Sequence, residues 1–327
     1  MRCMISMIYI LTSVCLAYIF NRSIANLPWI PNTVCFIKWL VDFLQQHMWN
    51  KNDSAIRQNV FGFLYVILVM FIVMIVPVIL IIIAFFLFHG ADWIVHTVVC
   101  YQILNLRHIR DTVRWIHTDL LNEDFNAARD ELGKFTGHDS SHLNQEEIVN
   151  DTVSAIAVKS TEEVISPLFF MCIGGAPLGC LHRAVLIMAD RFGSQHLTYR
   201  YFGITATRVN SFFNWLPTRV NIICLIYSAY LLRYSLRNAV RIFKRDHKKN
   251  GLNAGYPQSV IAGALNIQMG GQRNYGEHII YLPYIGDAMQ KLNCEDIIKA
   301  NNMMYASSIM YMLLSLAVAW IVFGILL

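Results

Sequence analysis

Val60 to Phe88 is an apolar run without a single charge, about 30 positions long against the ~20 that a helix needs to cross a bilayer core. Its length predicts a tilted span kinked near Pro77. Three further runs read as spans: Ile5 to Phe20, Phe212 to Leu232, which Pro217 and Arg219 interrupt, and Tyr305 to Leu327. The first resembles a secretory leader in length, but Ala17-Tyr18-Ile19-Phe20 offers a poor small-residue cleavage site, so it reads as a retained anchor. Ser166 to Gly179 is apolar too, yet Pro167, Gly174, Gly175 and Pro177 break it. A broken segment over 166–190 therefore reads as re-entrant or half-spanning. His182, Arg183, Asp190 and Arg191 follow directly, as groups that snorkel to the interface or face a site.

Between these runs the period changes. In the polar region 105–163, Leu106, Ile109, Val113, Ile116 and Leu120 recur at three- and four-residue steps, which predicts an amphipathic helix with Arg107, Arg110, Arg114 and Asp119 outward. Asn144 followed by Glu147 has capping-box spacing and predicts a second helix start. The turn Thr136 to Ser141 lies between them. In the polar region 233–303, Asn253 to Asp287 carries six glycines (Gly255, Gly263, Gly270, Gly271, Gly276 and Gly286), the pattern of a backbone that bends or approaches something closely. That stretch reads as a binding surface.

Composition agrees with the pattern. The 327 residues are 56 % hydrophobic and 14 % charged, with a mean hydropathy of +0.45, too apolar for an ordinary soluble domain. The fold class expected is all-α: a polytopic α-helical integral membrane protein, one domain over 1–327, with a cytoplasmic region of helices and loops. Arg233, Arg237, Arg241, Lys244, Arg245, Lys248 and Lys249, opposed by Asp246 alone, mark the cytoplasmic end of the 212–232 run. Within them Arg233, Arg237, Arg241, Lys244 and Lys248 form a stripe with two readings, a phosphate site or a row at lipid headgroups. Eight cysteines without paired spacing imply neither a disulfide framework nor a zinc site. Phosphate-loop, serine-hydrolase, zincin and dinucleotide signatures are missing, and no inverted repeat suggests a transporter.

Several blocks taken together carry more information. GHDSSHL (137–143), SPLFFMCIGGAPLG (166–179), RYFG (200–203), TRVNSFFNWLPTR (207–219), NAGYP (253–257), AGALNIQMGGQRNYGE (262–277) and YIGDA (284–288) resemble, in order and spacing, the cobalamin-biosynthesis membrane family CobD/CbiB. The resemblance runs from about Leu106 to the C-terminus, with a weaker echo at Pro31-Asn32-Thr33-Val34. It implies amide formation between a propionate of adenosylcobyric acid and the amine of aminopropanol or its phosphate. ATP and Mg²⁺ are the implied cofactors, and the implied location is the bacterial inner membrane as a multi-pass protein. Corrinoid, aminopropanol and membrane lipid are the partners, and nucleic acid is not.

Carried onto this chain, the resemblance makes Asp139 and Glu162 the catalytic candidates, with Asp139 also the metal candidate. His138, Arg208, Arg219, Asn253, Gly270, Gly271, Tyr275, Glu277 and Asp287 are the substrate-binding candidates. Each has a plainer reading: Asp139 and His138 as turn residues, Arg219 as a snorkelling cation, the glycine pair as a tight turn, Glu162 as part of a solvated helix face. The chain departs from the family in its polar groups. The family's G-R-D-T turn is Gly137-His138-Asp139-Ser140, which loses the arginine. A family glutamate falls on Ser154, and the E-N-x-x-D-G cluster falls on Val158, Lys159, Glu162 and Glu163. The asparagine and aspartate of N-T-x-D-S-M become Leu186 and Ala189, and paired aspartates become Asn210 and Ser211. Acids near the N-terminus appear as Asn21 and Asn26, and an S-P-N turn as Gly251-Leu252-Asn253. Two functions compete on this evidence. One is a cobinamide-forming ligase; the other is a non-catalytic relative that binds a corrinoid or acts as an AmpE-like membrane sensor.

Overall fold

The computed structural model describes residues 2–23, 32–88, 90–193, 197–275 and 278–326. In chain order the elements are α1 (Arg2–Ser23), α2 (Thr33–Met48), α3 (Ala55–Leu87), α4 (Ala91–Ile103), α5 (Leu106–Leu121), α6 (Phe125–Thr136) and α7 (Gln145–Lys159). A π-helical turn (Ser160–Ile165) leads into α8 (Ser166–Phe192), and a 3₁₀ turn (Leu197–Tyr199) precedes α9 (Ile204–Leu231). Then come α10 (Leu236–Asp246), α11 (Gly255–Leu265), β1 (Gln268–Tyr275), β2 (His278–Gly286) and α12 (Cys294–Leu326). The fold is helical as expected, apart from one hairpin.

Contacts divide the chain into two compact units, residues 1–105, 166–214 and 318–327 in one, and 106–165 and 215–317 in the other. In the first unit α3 is the central apolar rod. Ser54 caps its start by accepting from the Arg57 amide, and Tyr65, Val66, Val69, Val73 and Pro77 form its buried face. Pro77 lies inside a helix that remains continuous. Most of the remaining surface of α3 is exposed and apolar, including Phe71, Ile82 and Phe86. A surface of that kind is stable against hydrocarbon and not against water. By length and apolarity three helical stretches among the described residues suffice to cross a membrane: Ala55–Leu87, Gln145–Phe192 and Cys294–Ile321. Ile8–Ser23 is apolar but shorter. The run 212–232 is helical yet absent from that set, because Asn214, Thr218, Arg219 and Asn221 interrupt it with polar groups, three of them fully buried.

The break expected after Ser166 is present. Gly174 (φ −138°, ψ 22°) and Gly175 (φ 66°, ψ −155°) leave helical geometry inside α8. The second value belongs to a region open essentially to glycine. The amide freed there, that of Ala176, donates to Nε2 of the buried His96 on α4 at 3.0 Å. A Cβ on Gly175 would stand 2.2 Å from that same nitrogen.

In the second unit α5 buries the predicted stripe, with Leu106, Ile109, Val113 and Ile116 wholly enclosed. The capping box at Asn144 and Glu147 forms in both directions and starts α7. An additional helix, α6, precedes the 136–141 turn, capped by Asp124. The glycine-rich stretch, read from the sequence as a bending backbone and binding surface, folds as α11 and an antiparallel hairpin. Its register pairs Gln268 with Gly286 and Tyr275 with His278, and shifts between Met269 and Gly271. The physical reason is the run His278–Gly286, rich in β-branched and aromatic residues, with Pro283 placed opposite the shift, where no ladder donor is required.

Candidate functional site

Arg219 and Asn253, 34 residues apart in sequence, meet in the second unit. Arg219 Nη1 donates to Asn253 Oδ1 at 3.0 Å and to the Trp215 carbonyl one turn back at 2.7 Å. Nη2 donates to the Tyr256 hydroxyl at 3.2 Å. The guanidinium also lies over two rings, 4.6 Å from the Trp215 centroid and 4.4 Å from that of Tyr256. Three of the five N–H donors of an arginine are thereby used, and the stacking fixes the plane of the fork. The half-buried cation that results is held in one orientation with donor capacity in reserve, a geometry suited to a carboxylate or phosphate.

Asn253 is placed for this by the turn leading into α11. Asn250 anchors the turn: its carbonyl accepts from the Gly255 amide at 2.8 Å and its Nδ2 donates to Gln258 at 2.8 Å. Gln258 in turn donates to Ser154 on α7 at 2.7 Å. From the other side of the sequence, Asn221 on α9 donates to Ser160 at 3.1 Å and Thr161 at 2.7 Å in the π-helical turn. Its Oδ1 is buried with no partner among the described residues. Glu162 lies in this same turn, half-buried, beside an ion pair between Lys159 and the buried Glu163. A π-turn widens a helix and displaces the side chains on it, a device frequent at functional sites. Ser154 is part of a neutral hydrogen-bonded column with Gln258 and Asn250.

The hairpin is anchored by charge. Asp246, wholly buried at the end of α10, accepts from Arg245 Nε and Nη2, both at 2.8 Å, and from the Gly286 amide at 2.9 Å, and it pairs with Lys249 at 2.8 Å. Burial alone would push its carboxyl up, but the hydrogen bonds from Arg245, Lys249 and Gly286 outweigh burial and hold it well below the usual carboxylate range. Asp287 is clamped by Arg241 at 2.7 Å and Arg245 at 2.8 Å. The glycine pair sits at the register shift, both residues at φ +98°, and a Cβ on Gly270 would meet the Pro283 carbonyl at 2.3 Å. Asn150 takes up Gly270, donating to its carbonyl at 3.2 Å and accepting from its amide at 3.3 Å. Gly270, Gly271 and Asp287 thus shape and fasten the hairpin. Tyr275 ends β1, and Glu277 lies outside the described residues.

Asp139 and His138 occupy a different place, an open depression of about 510 Å³ lined within 126–141 by Asn126, Arg129, Asp130 and Lys134 among others. Asp139 accepts from the Ser141 amide at 3.0 Å, and that amide, with the Ser141 hydroxyl, holds its carboxyl low. The neighbouring Asp130 is paired with Lys134 at 2.7 Å. A protein-held Mg²⁺ does not fit this donor set, since one exposed carboxylate remains and no group of three His, Cys, Asp or Glu comes together among the described residues. Arg208 belongs to the first unit and is exposed.

In the first unit, Ser166 donates to Asn214 Oδ1 at 2.6 Å, the fully buried His182 contacts that same oxygen at 3.2 Å, and Asn214 donates to Asn210 Oδ1 at 2.8 Å. Sequence reasoning flagged His182 and Asn210 separately but had no signal joining them, and His96 and Asn221 were missed outright. Asp246 did leave a signal, as the lone acid among seven cations.

Against known proteins, the family described as CobD/Cbib protein matches residues 14–304. The "Cobalamin biosynthesis protein CobD" of Clostridium perfringens is 34 % identical over 196 residues, 60 % of this chain and 62 % of that protein. Its namesake in Clostridium tetani is 26 % identical over 301 residues, 91 % of this chain and 94 % of the relative. That of Photorhabdus laumondii is 32 % identical over 226 residues, 68 % and 71 %. No solved structure matches the chain.

Proposed function

Since the chain belongs to the CobD/CbiB family, we propose that it works in cobalamin biosynthesis as a multi-pass protein of the bacterial inner membrane. There it joins a propionate of adenosylcobyric acid to aminopropanol or its phosphate. Amide formation requires that a carboxylate oxygen be activated as a leaving group and that a neutral amine attack and then lose a proton. ATP, arriving with its own Mg²⁺, is the co-substrate that supplies activation in this reading. The protein's part is to hold anions and place the amine.

The observation that carries the reading is the convergence of Arg219 and Asn253 inside the matched segment. The stacked guanidinium would take the substrate carboxylate or a phosphate, with Asn253 and Tyr256 fixing its plane. Asp139, in the separate depression of residues 126–141 and kept ionised by Ser141, takes no part in this step. Glu162 is assigned to the π-turn side, where half-burial beside Lys159 and Glu163 makes it a positioning group for the amine.

A second reading, a non-catalytic corrinoid-binding or AmpE-like sensory protein, is favoured by the substitutions at Leu186, Ala189, Asn210 and Ser211. The two separate in a strain that lacks cobinamide synthase, is supplied with cobyric acid and is dependent on cobalamin. Expression of this chain with verified membrane insertion should restore growth, and Arg219→Ala should abolish the rescue. Failure by an inserted wild-type chain would decide for the second reading.

A further inference from the structure

Seven cations follow α9, and the fold sorts them into two sets. Arg241, Arg245 and Lys249 are used internally. They hold Asp246 and Asp287, and Lys249 and Arg245 also donate to the hairpin carbonyls of Tyr284 at 2.9 Å and Gly286 at 3.2 Å. The side chains of Arg233, Arg237, Lys244 and Lys248 are exposed and make no hydrogen bond or ion pair among the described residues. The sorting follows helical geometry. At about 100° per residue, Arg237 and Lys244 fall within ~20° of each other on α10, nearly opposite the face that buries Ala239, Ile242 and Asp246. Arg233 stands just before that helix and Lys248 just after it.

What lies beside this charge is apolar. The last turns of α9 expose Tyr227, Tyr230 and Leu231, and α10 begins with the exposed Leu236. Arg233 carries the turn between the two helices with φ +58°. Its amide bonds the Tyr230 carbonyl at 3.1 Å and the Tyr234 amide bonds that of Ala229 at 2.9 Å, which closes α9 firmly and fixes where the aromatic band gives way to cations. Tyrosines followed within one turn by unpaired Arg and Lys are the arrangement that matches a bilayer interface, with rings at headgroup depth and cations at the phosphates. Water alone would favour the cations but not the tyrosine and leucine faces beside them. A soluble phosphate would explain the cations but not the apolar band.

We propose that Arg233, Arg237, Lys244 and Lys248 form a docking surface for anionic phospholipid headgroups, seated by Tyr227 and Tyr230, and that this contact is separate from the anchoring of the hairpin. Each cation near an anionic surface contributes about five-fold in affinity at low ionic strength, so removing three should weaken it about a hundred-fold.

The test uses the full-length protein in neutral detergent, equilibrated with equal amounts of phosphatidylglycerol and phosphatidylcholine, with bound lipid counted by native mass spectrometry. Wild type should retain phosphatidylglycerol preferentially. The combined variant Arg237→Gln, Lys244→Gln, Lys248→Gln should lose that preference and melt at the wild-type temperature. Arg241→Gln, which touches the hairpin anchor, should lower the melting temperature and keep the lipid preference. Equal retention of both lipids by wild type, or unchanged preference in the triple variant, would overturn the proposal. Displacement of the bound phosphatidylglycerol by inorganic phosphate or ATP at equal concentration would also overturn it, assigning the stripe to a soluble phosphate.

Discussion

Asp246→Asn is the sharpest probe of how the C-terminal glycine-rich block is held. The wild-type carboxylate is wholly buried and receives two bonds from Arg245, one from Lys249 and one from the Gly286 amide, all within 2.8 to 2.9 Å. The asparagine keeps the shape and an acceptor for Gly286, but it presents an NH₂ group to one of the two cations. Removing one member of a buried pair costs about 3–5 kcal/mol. Here Arg245 and Lys249 are 47 % and 41 % exposed and regain water, so screening reduces the expected loss to about 2–3 kcal/mol. If the hairpin opens as one piece, hydrogen exchange at the Gly286 amide should accelerate about 30- to 150-fold at neutral pH. Acid provides a second readout. The folded carboxyl titrates below its unfolded value, so its contribution is complete above about pH 4 and is lost as pH falls through the lower, folded value. Wild type should therefore lose thermal stability in detergent below about pH 4 by an increment that the variant lacks. Wild-type exchange at Gly286 in Asp246→Asn, with the same acid slope in both proteins, would refute the account.

Other consequences are equally direct. Gly175→Ala should cost about 3 kcal/mol, from backbone strain at φ 66° and a Cβ driven into His96, and His96→Ala about 1–3 kcal/mol from the abandoned Ala176 amide. Wild-type thermal unfolding in either variant would contradict the capped-break reading. Arg219→Lys should raise KM for the corrinoid about ten- to a hundred-fold with little change in melting, since a lysine cannot stack or present a planar fork; unchanged KM would remove Arg219 from the site. Restoring acids with Ala189→Asp, Asn210→Asp and Ser211→Asp should raise growth rescue above the level that the unaltered chain supports. Asn210→Asp is the mildest of the three, because it keeps the acceptor that Asn214 uses, whereas position 189 is buried. No gain in rescue would count against decay of an acidic set.

The sequence by itself determined what local pattern controls. The stripe from Leu106 to Leu120, the capping box at Asn144, the long α3 and the break at Gly174 and Gly175 all depend on residues within a few turns of one another, and each formed where the periodicity put it. The order of the family blocks was equally legible, because it is a property of the chain alone. Tertiary structure decided everything that depends on distant pairing. His96 caps a helix break 80 residues away. Asn150 completes the hairpin edge from a helix 120 residues earlier, and Asp246 turns the neighbouring cations from an undifferentiated basic stripe into an anchor and a free face. The glycine-rich block was legible as a bend but not as a hairpin, since glycine reports only that the backbone can adopt positive φ. Which carbonyl, amide or carboxylate then uses that freedom is set by the partner the fold brings up to it.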